Sequence, residues 1–163
     1  MSSSGLGHLV AVLSNPPTTS GARTLARVEL ARQVLGYDTA SVANIFSIAT
    51  YRTGGISVSG ADPAGWEASH DLLRPAIDAA DAVLLAYGRQ EPSGPARIHF
   101  RAQVAWIRAE VESRNLPTWS VDGQPRHPSR WQRHTYSRFP LLPFQEALPL
   151  VLTRSSPIQG LTV

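Results

Sequence analysis

From His8 to Ser14 the chain reads HLVAVLS, an apolar run without Gly or Pro that stops at Asn15-Pro16-Pro17. That pattern predicts a buried strand followed by a forced loop, because two prolines cannot continue a sheet ladder. Thr18, Thr19 and Ser20 then offer side-chain oxygens as helix N-caps. Between Arg23 and Leu35, the apolar residues Leu25, Val28, Ala31 and Leu35 recur at steps of three and four, with Arg23, Arg27 and Arg32 on the other side. This is the signature of an amphipathic helix, and Gly36 terminates it.

The pattern then repeats. Thr39 to Ile48 reads as a second strand with one polar interruption, Asn44. Residues 49–64 form a loop rich in Gly, Ser and Thr, whose last part, Asp62-Pro63-Ala64-Gly65, opens a helix reaching about Ala80. Asp81 to Tyr87 is a third buried strand closed by Gly88, and Gln90 to Pro95 is loop. Ala96 to Asn115 is the longest predicted helix, with Ile98, Ala102, Ala105, Trp106 and Ala109 as its apolar stripe. Pro117 to Val121 is a short fourth strand, and Asp122-Gly123 a turn.

Continuous apolar strands alternating with helices predict an α/β domain, three-layer α/β/α, with a four-stranded parallel sheet. Ligands of such sheets bind beyond the carboxyl ends of the strands. Here those ends carry Asn15, Asn44, Gly88 and the Asp122–His127 loop. Residues 140–163 break the pattern, with Pro140, Pro143, Pro149 and Pro157 among Leu, Phe and Val. The expected organisation is a domain over 1–139 and a Pro-rich tail over 140–163 that packs apolar side chains onto it.

The length of 163 residues fits one domain. The absence of cysteine excludes a disulfide framework, a thiolate metal site and a cysteine nucleophile, and it fits a reducing compartment. The sequence contains no run of about 20 apolar residues, so no membrane partner is expected. Met1 to Gly5 lacks the basic and apolar parts of a secretory signal, so the expected location is cytoplasmic. The formal net charge is +3, and all 15 basic residues are Arg. Either codon usage or a surface that grips phosphates in bidentate fashion accounts for that choice.

Several polar residues suit chemistry. Asn15 at the exit of strand one suits either a water or ligand amide, or a plain turn before proline. Asn44 suits either reading the edge of a planar ligand or satisfying backbone in a bend. Phe46, two residues on and expected on the same face, suits either stacking on a flat ligand or the core. His127 lies between two prolines that fix its direction, and suits charge stabilisation or proton relay as well as plain solvation. Arg126 to Arg138 carries Arg126, Arg130, Arg133 and Arg138, two histidines, Trp131 and Tyr136, and no acid. Such a mixture suits a nucleic-acid backbone with exposed bases, a solvated basic loop or a self-association surface. Phosphate-loop, dinucleotide, nucleophile-elbow and His-x-x-x-His signatures are absent. Asp62, Glu67, His70 and Asp71 make a metal site only on paper, because His70 and Asp71 diverge on a helix. No metal or other cofactor is expected.

Residues 8 to about 130 resemble the bacterial domain-of-unknown-function family 1643. The residues that carry this are Leu13-Ser14-Asn15-Pro16, Val42-Ala43-Asn44-Ile45-Phe46, Asp62-Pro63-Ala64-Gly65, Tyr87-Gly88 and Asp122-Gly123-Gln124-Pro125-Arg126-His127-Pro128. That family in turn is similar to the uracil-DNA glycosylase superfamily. Asn15-Pro16 matches a water-positioning motif after strand one, Asn44 a base-reading Asn after strand two, and His127-Pro128-Ser129 a loop that contacts the flipped nucleotide. Pro17, the Tyr51-Arg52-Thr53-Gly54-Gly55 stretch, Arg130 to Arg138 and the tail depart from the pattern.

The resemblance implies hydrolysis of the N-glycosidic bond of a nucleobase in nucleic acid or a nucleotide. Asn15 and His127 would be catalytic, and Pro16, Asn44, Phe46, Gly88 and Ser129 would bind substrate. Arg126 and Arg130 would hold phosphates. A non-catalytic nucleotide or nucleic-acid binding module is the first alternative. A protein-interaction domain using the basic C-terminal surface, for a partner or a homo-oligomer, is the second.

Overall fold

The computed structural model describes residues 5–50 and 55–155. The expected features at Tyr51-Arg52-Thr53-Gly54, at the N-terminal Met1 to Ser4 and at Pro157 lie outside the described residues. Strand β1 (His8–Leu13) is the apolar run read from the sequence, and Leu9 to Val12 are fully buried. It can be buried on both faces because its neighbours are parallel: β2 (Thr39–Asn44) on one side and β3 (Ala82–Leu85) on the other. Beyond β3 comes β4 (Thr118–Val121), also parallel.

The sheet has a fifth strand. β5 (Leu152–Ser155) pairs antiparallel with β4, Val121 opposite Leu152, and the order is β2-β1-β3-β4-β5. This corrects the expectation of four parallel strands. Only Leu152 of the LTRS strand is buried, so no alternation marked it. It follows α6 (Phe144–Val151), whose Ala147, Leu148 and Val151 are buried. Pro143 and Pro149 disguised that helix as a tail, although one precedes it and the other falls in its last turn. Residues 144–155 therefore supply an element to each of two layers.

Helices cover both faces of the sheet. On one side α3 (Ala64–Asp78) and α4 (Pro95–Ser113) bury Trp66, Leu73, Ile77, Phe100, Ile107 and Val111 against Val10, Val12, Val83 and Leu85. On the other, α1 (Ala22–Leu35), α5 (Pro128–Arg138) and α6 bury Val28, Ala31, Trp131, Leu148 and Val151 against Leu9, Ala11, Ala82 and Leu84. The short α2 (Gly55–Ser59) falls inside the predicted 49–64 loop.

Two further readings change. The buried face of α4 is Ala96, Phe100, Gln103, Ile107 and Val111, while Ile98, Ala102, Ala105 and Ala109 are exposed. Alanines at helical spacing outnumber the true face, but the larger Phe, Ile and Val set which side is driven inward. The second strand also ends at Asn44, before Ile48. Ile45 and Phe46 are adjacent yet bury into the same cluster, because the pleat stops there.

Candidate functional site

The chain leaves β1 toward β2 on one side and returns to β3 on the other. The two βα connections diverge there, which opens a crevice at the carboxyl ends of β1 and β3. A cavity of about 920 Å³ occupies it. Ser14 and Asn15 line it from β1 and Tyr87 to Ser93 from β3. Arg126 and His127 come from the loop before α5, and Ser129, Arg130, Arg133, His134 and Ser137 from α5 itself. Thr50, Ile56, Ser57 and Phe100 complete the wall.

Local backbone chemistry aims these groups. Gly88 holds φ +97°, which a residue with a Cβ rarely adopts, and its N–H donates to Pro125 O at 2.7 Å. The exit of β3 is thus clipped to the loop bearing His127. His127 is the N-cap of α5. Its Nδ1 lies 3.1 Å from Ser129 N, which donates to it, and 2.9 Å from Ser129 Oγ. Nδ1 therefore acts as acceptor, and the proton of the neutral ring sits on Nε2. Burial, and then the cations Arg130 and Arg27, push the His127 pKa down, so the ring is neutral near pH 7.

The cavity is strongly basic. Arg89, Arg126, Arg130 and Arg133 all line it, and no guanidinium group of the four makes a hydrogen bond or ion pair among the described residues. The buried Nε of Arg126 has no partner. Burial lowers the Arg126 pKa, and nearby Arg89 lowers it further. The one acid in the lining, Glu91, is committed to Arg101 through two 2.8 Å bonds. Cations left unpaired around a concave space suit a phosphorylated ligand.

The sequence-derived candidates separate into two groups. Asn15, Gly88, Arg126, His127, Ser129 and Arg130 line the cavity together. Pro16, Asn44 and Phe46 do not. Asn15 is half-buried, and its Nδ2 donates to Ile48 O and Thr50 Oγ1, both at 3.0 Å. Its amide hydrogens hold the 48–50 loop, and Oδ1 is the atom left for a water. Asn44 pairs with Leu13 across the sheet, and alternation puts it with Ala40 and Val42 on the α1 side. Phe46 is fully buried, its ring centroid 4.6 Å from that of Trp66, on the opposite side of the sheet. The sharing of a face by Asn44 and Phe46, expected from strand alternation, fails because β2 ends between them.

Sequence reasoning did not place Arg89, Tyr87, Phe100, His134 or Ser137 at the cavity. One signal was present. Arg130, Arg133, His134 and Ser137 fall at i, i+3, i+4 and i+7, one face of a helix, while Pro128, Trp131 and Thr135 form its buried face. Trp131, fully buried, donates from Nε1 to Arg126 O at 2.9 Å, so it anchors the basic loop rather than meeting a base. The paper metal site does not assemble: His70 Nε2 lies 2.7 Å from Gln103 Oε1, and its ring stacks on Trp106. Among the described residues, no group of three His, Asp or Glu is placed to hold a metal ion. Nor is any described helix long and apolar enough to cross a membrane.

The family described as "Protein of unknown function (DUF1643)" matches residues 3–129. No curated protein and no solved structure matches the chain.

Proposed function

The chain belongs to the domain-of-unknown-function family 1643, and from that premise we propose that it hydrolyses the N-glycosidic bond of a nucleobase-containing ligand, a nucleotide or a nucleic-acid strand, in the cavity between the ends of β1 and β3. The observation that carries this is His127. It is a neutral ring with Nδ1 occupied and Nε2–H left to donate, inside a wall of four unpaired guanidinium groups.

In this reading the bond between the anomeric carbon and the base nitrogen breaks, and the base takes the electron pair. His127 Nε2–H donates to the base as its negative charge builds. A water held by Asn15 Oδ1 supplies the oxygen that bonds to the anomeric carbon, and its proton ends on the departing base. Arg126 and Arg130, joined by Arg89 and Arg133, hold the phosphates. A base inside a duplex must first be flipped out, at roughly a few kcal/mol, which those contacts help offset. On this reading the chain would act as a uracil-DNA glycosylase-like hydrolase.

A second reading, recognition of the same ligands without catalysis, is favoured by the position of Asn44. The residue expected to read the base stands outside the cavity. Base release measured over free nucleotides and modified oligonucleotides separates the two. His127→Asn is the variant of choice, because Asn still caps Ser129 N–H while the ring donor is lost. Release from at least one substrate, reduced about 100- to 1,000-fold in the variant with binding retained, is the expected result. Binding without release from any substrate would leave the recognition module standing alone.

A further inference from the structure

Asp122 and His134 form a pair that the scheme above does not use. His134 lies on the cavity face of α5, one turn beyond Arg130. Its Nε2 is 2.5 Å from Asp122 Oδ2, and its Nδ1 has no partner among the described residues. A carboxylate can only accept, so Nε2 carries a proton, and in the neutral ring Nδ1 presents a lone pair. Asp122 is itself fixed. Its second oxygen accepts from Arg138 Nη1 at 2.5 Å, and its N–H donates to Val151 O at 2.8 Å. Its backbone sits at φ +52° and that of Gly123 at +75°, the tight turn that Asp-Gly favours, which fixes the carboxylate at the end of β4. Burial raises the Asp122 carboxyl, but the bonds from His134 and Arg138 outweigh this and hold it below the usual range, as a carboxylate.

The two histidines of the cavity are therefore opposites. His127 has its acceptor nitrogen occupied and shows a donor; His134 has its donor occupied and shows an acceptor. Paired groups made different by their surroundings divide acid and base duties. We propose that His134 is the general base of the reaction in this cavity, its Nδ1 taking a proton from the attacking water, with Asp122 as the residue that positions it. This rests on the hydrolase reading above. As the water oxygen bonds to the anomeric carbon, one water proton passes to Nδ1 and the ring becomes an imidazolium facing Asp122. The base leaves with the electron pair of the broken bond, His134 then gives the proton to the base, and both partners are reset.

The test pairs a spectroscopic readout with a kinetic one, on the full chain. Nitrogen-15 NMR of histidine-labelled wild type reports the tautomer without any need for turnover. A bare Nδ1 and a protonated Nε2 at His134 are expected, and a protonated Nδ1 overturns the proposal. In base-release assays, His134→Ala should lower kcat by about 100- to 10,000-fold, and added imidazole should restore part of it. Asp122→Asn, folded as judged by thermal unfolding, should lower kcat with KM within about twofold of wild type. Undiminished release by His134→Ala beside an active wild type overturns the base and leaves the hydrolase intact. A wild type that releases no base while its Nδ1 is bare overturns both, and assigns the pair to anchoring α5.

Discussion

Gly65, at the start of α3, lies directly against the ring of Phe46: a Cβ there would come within 2.4 Å of Cε1 and 2.9 Å of Cζ. The close approach lets α3 sit down on the end of β2, and it presses Phe46 onto Trp66. Phe46 is thus a packing residue. Gly65→Ala should lower stability by about 1–3 kcal/mol, since the ring has no space to yield. Phe46→Ala should lower it by about 3–5 kcal/mol. Thermal unfolding measures both, and ligand affinity measured on the folded fraction should change little. A Phe46 variant of normal stability and lost affinity would restore the stacking role.

The parts legible in the sequence were those written as long apolar periods. β1, α1, β3 and α4 appear within a residue or two of their predicted bounds, because burial on two faces or one leaves a pattern that few alternatives match. The loops named as ligand-bearing from strand order alone include those that hold Asn15, Gly88 and His127 around the cavity. What stayed hidden has physical reasons. β5 buries one side chain, α6 is bracketed by prolines, and α5 carries so many charges that its narrow Trp131–Thr135 face reads as loop. The expected sharing of a face by Asn44 and Phe46 depended on β2 running to Ile48, and the strand ends four residues earlier, at Asn44.

Arg126 sets stability against binding. Its Nε is buried without a partner, and Arg89 stands nearby as a like charge. A buried Nε–H without an acceptor weakens the folded state, whereas Met of similar length does not carry that penalty. Arg126→Met should therefore gain about 1–3 kcal/mol of stability while weakening affinity for phosphate-bearing ligands about tenfold or more. Thermal unfolding and calorimetric titration with inorganic phosphate and a nucleotide check the two halves. A variant that loses both stability and affinity would mean that Arg126 has an internal partner in solution.

The C-terminal segment should prove indispensable to folding. Truncation after Arg138 removes Leu148 and Val151, both fully buried, together with Leu152, and it strips the partner strand from β4. One such leucine is worth about 2–5 kcal/mol, against a total of about 5–15 kcal/mol for a domain. The exposed β4 edge adds a surface for aggregation. Circular dichroism and size exclusion should find the truncated chain unfolded or aggregated. A folded, soluble, truncated monomer would return residues 140–163 to the status of a dispensable tail.

His127 should report on both pH and ligand. Burial comes first among the causes that depress its pKa, and the charges of Arg130 and Arg27 follow. The folded ring thus holds its proton less tightly than the unfolded chain, whose histidine titrates near about 6.5. Below that pH the unfolded state binds more protons, so the contribution of His127 to stability, complete above about 6.5, is lost as the pH falls toward the depressed folded value. His127→Asn should flatten stability in that window, since Asn keeps the cap and does not titrate. Proton NMR of the wild-type ring should give a midpoint below the ordinary histidine value. Inorganic phosphate, by neutralising Arg130, should move that midpoint up. A midpoint that ignores phosphate would separate His127 from the anion site and leave its ring donor without the ligand it is proposed to serve.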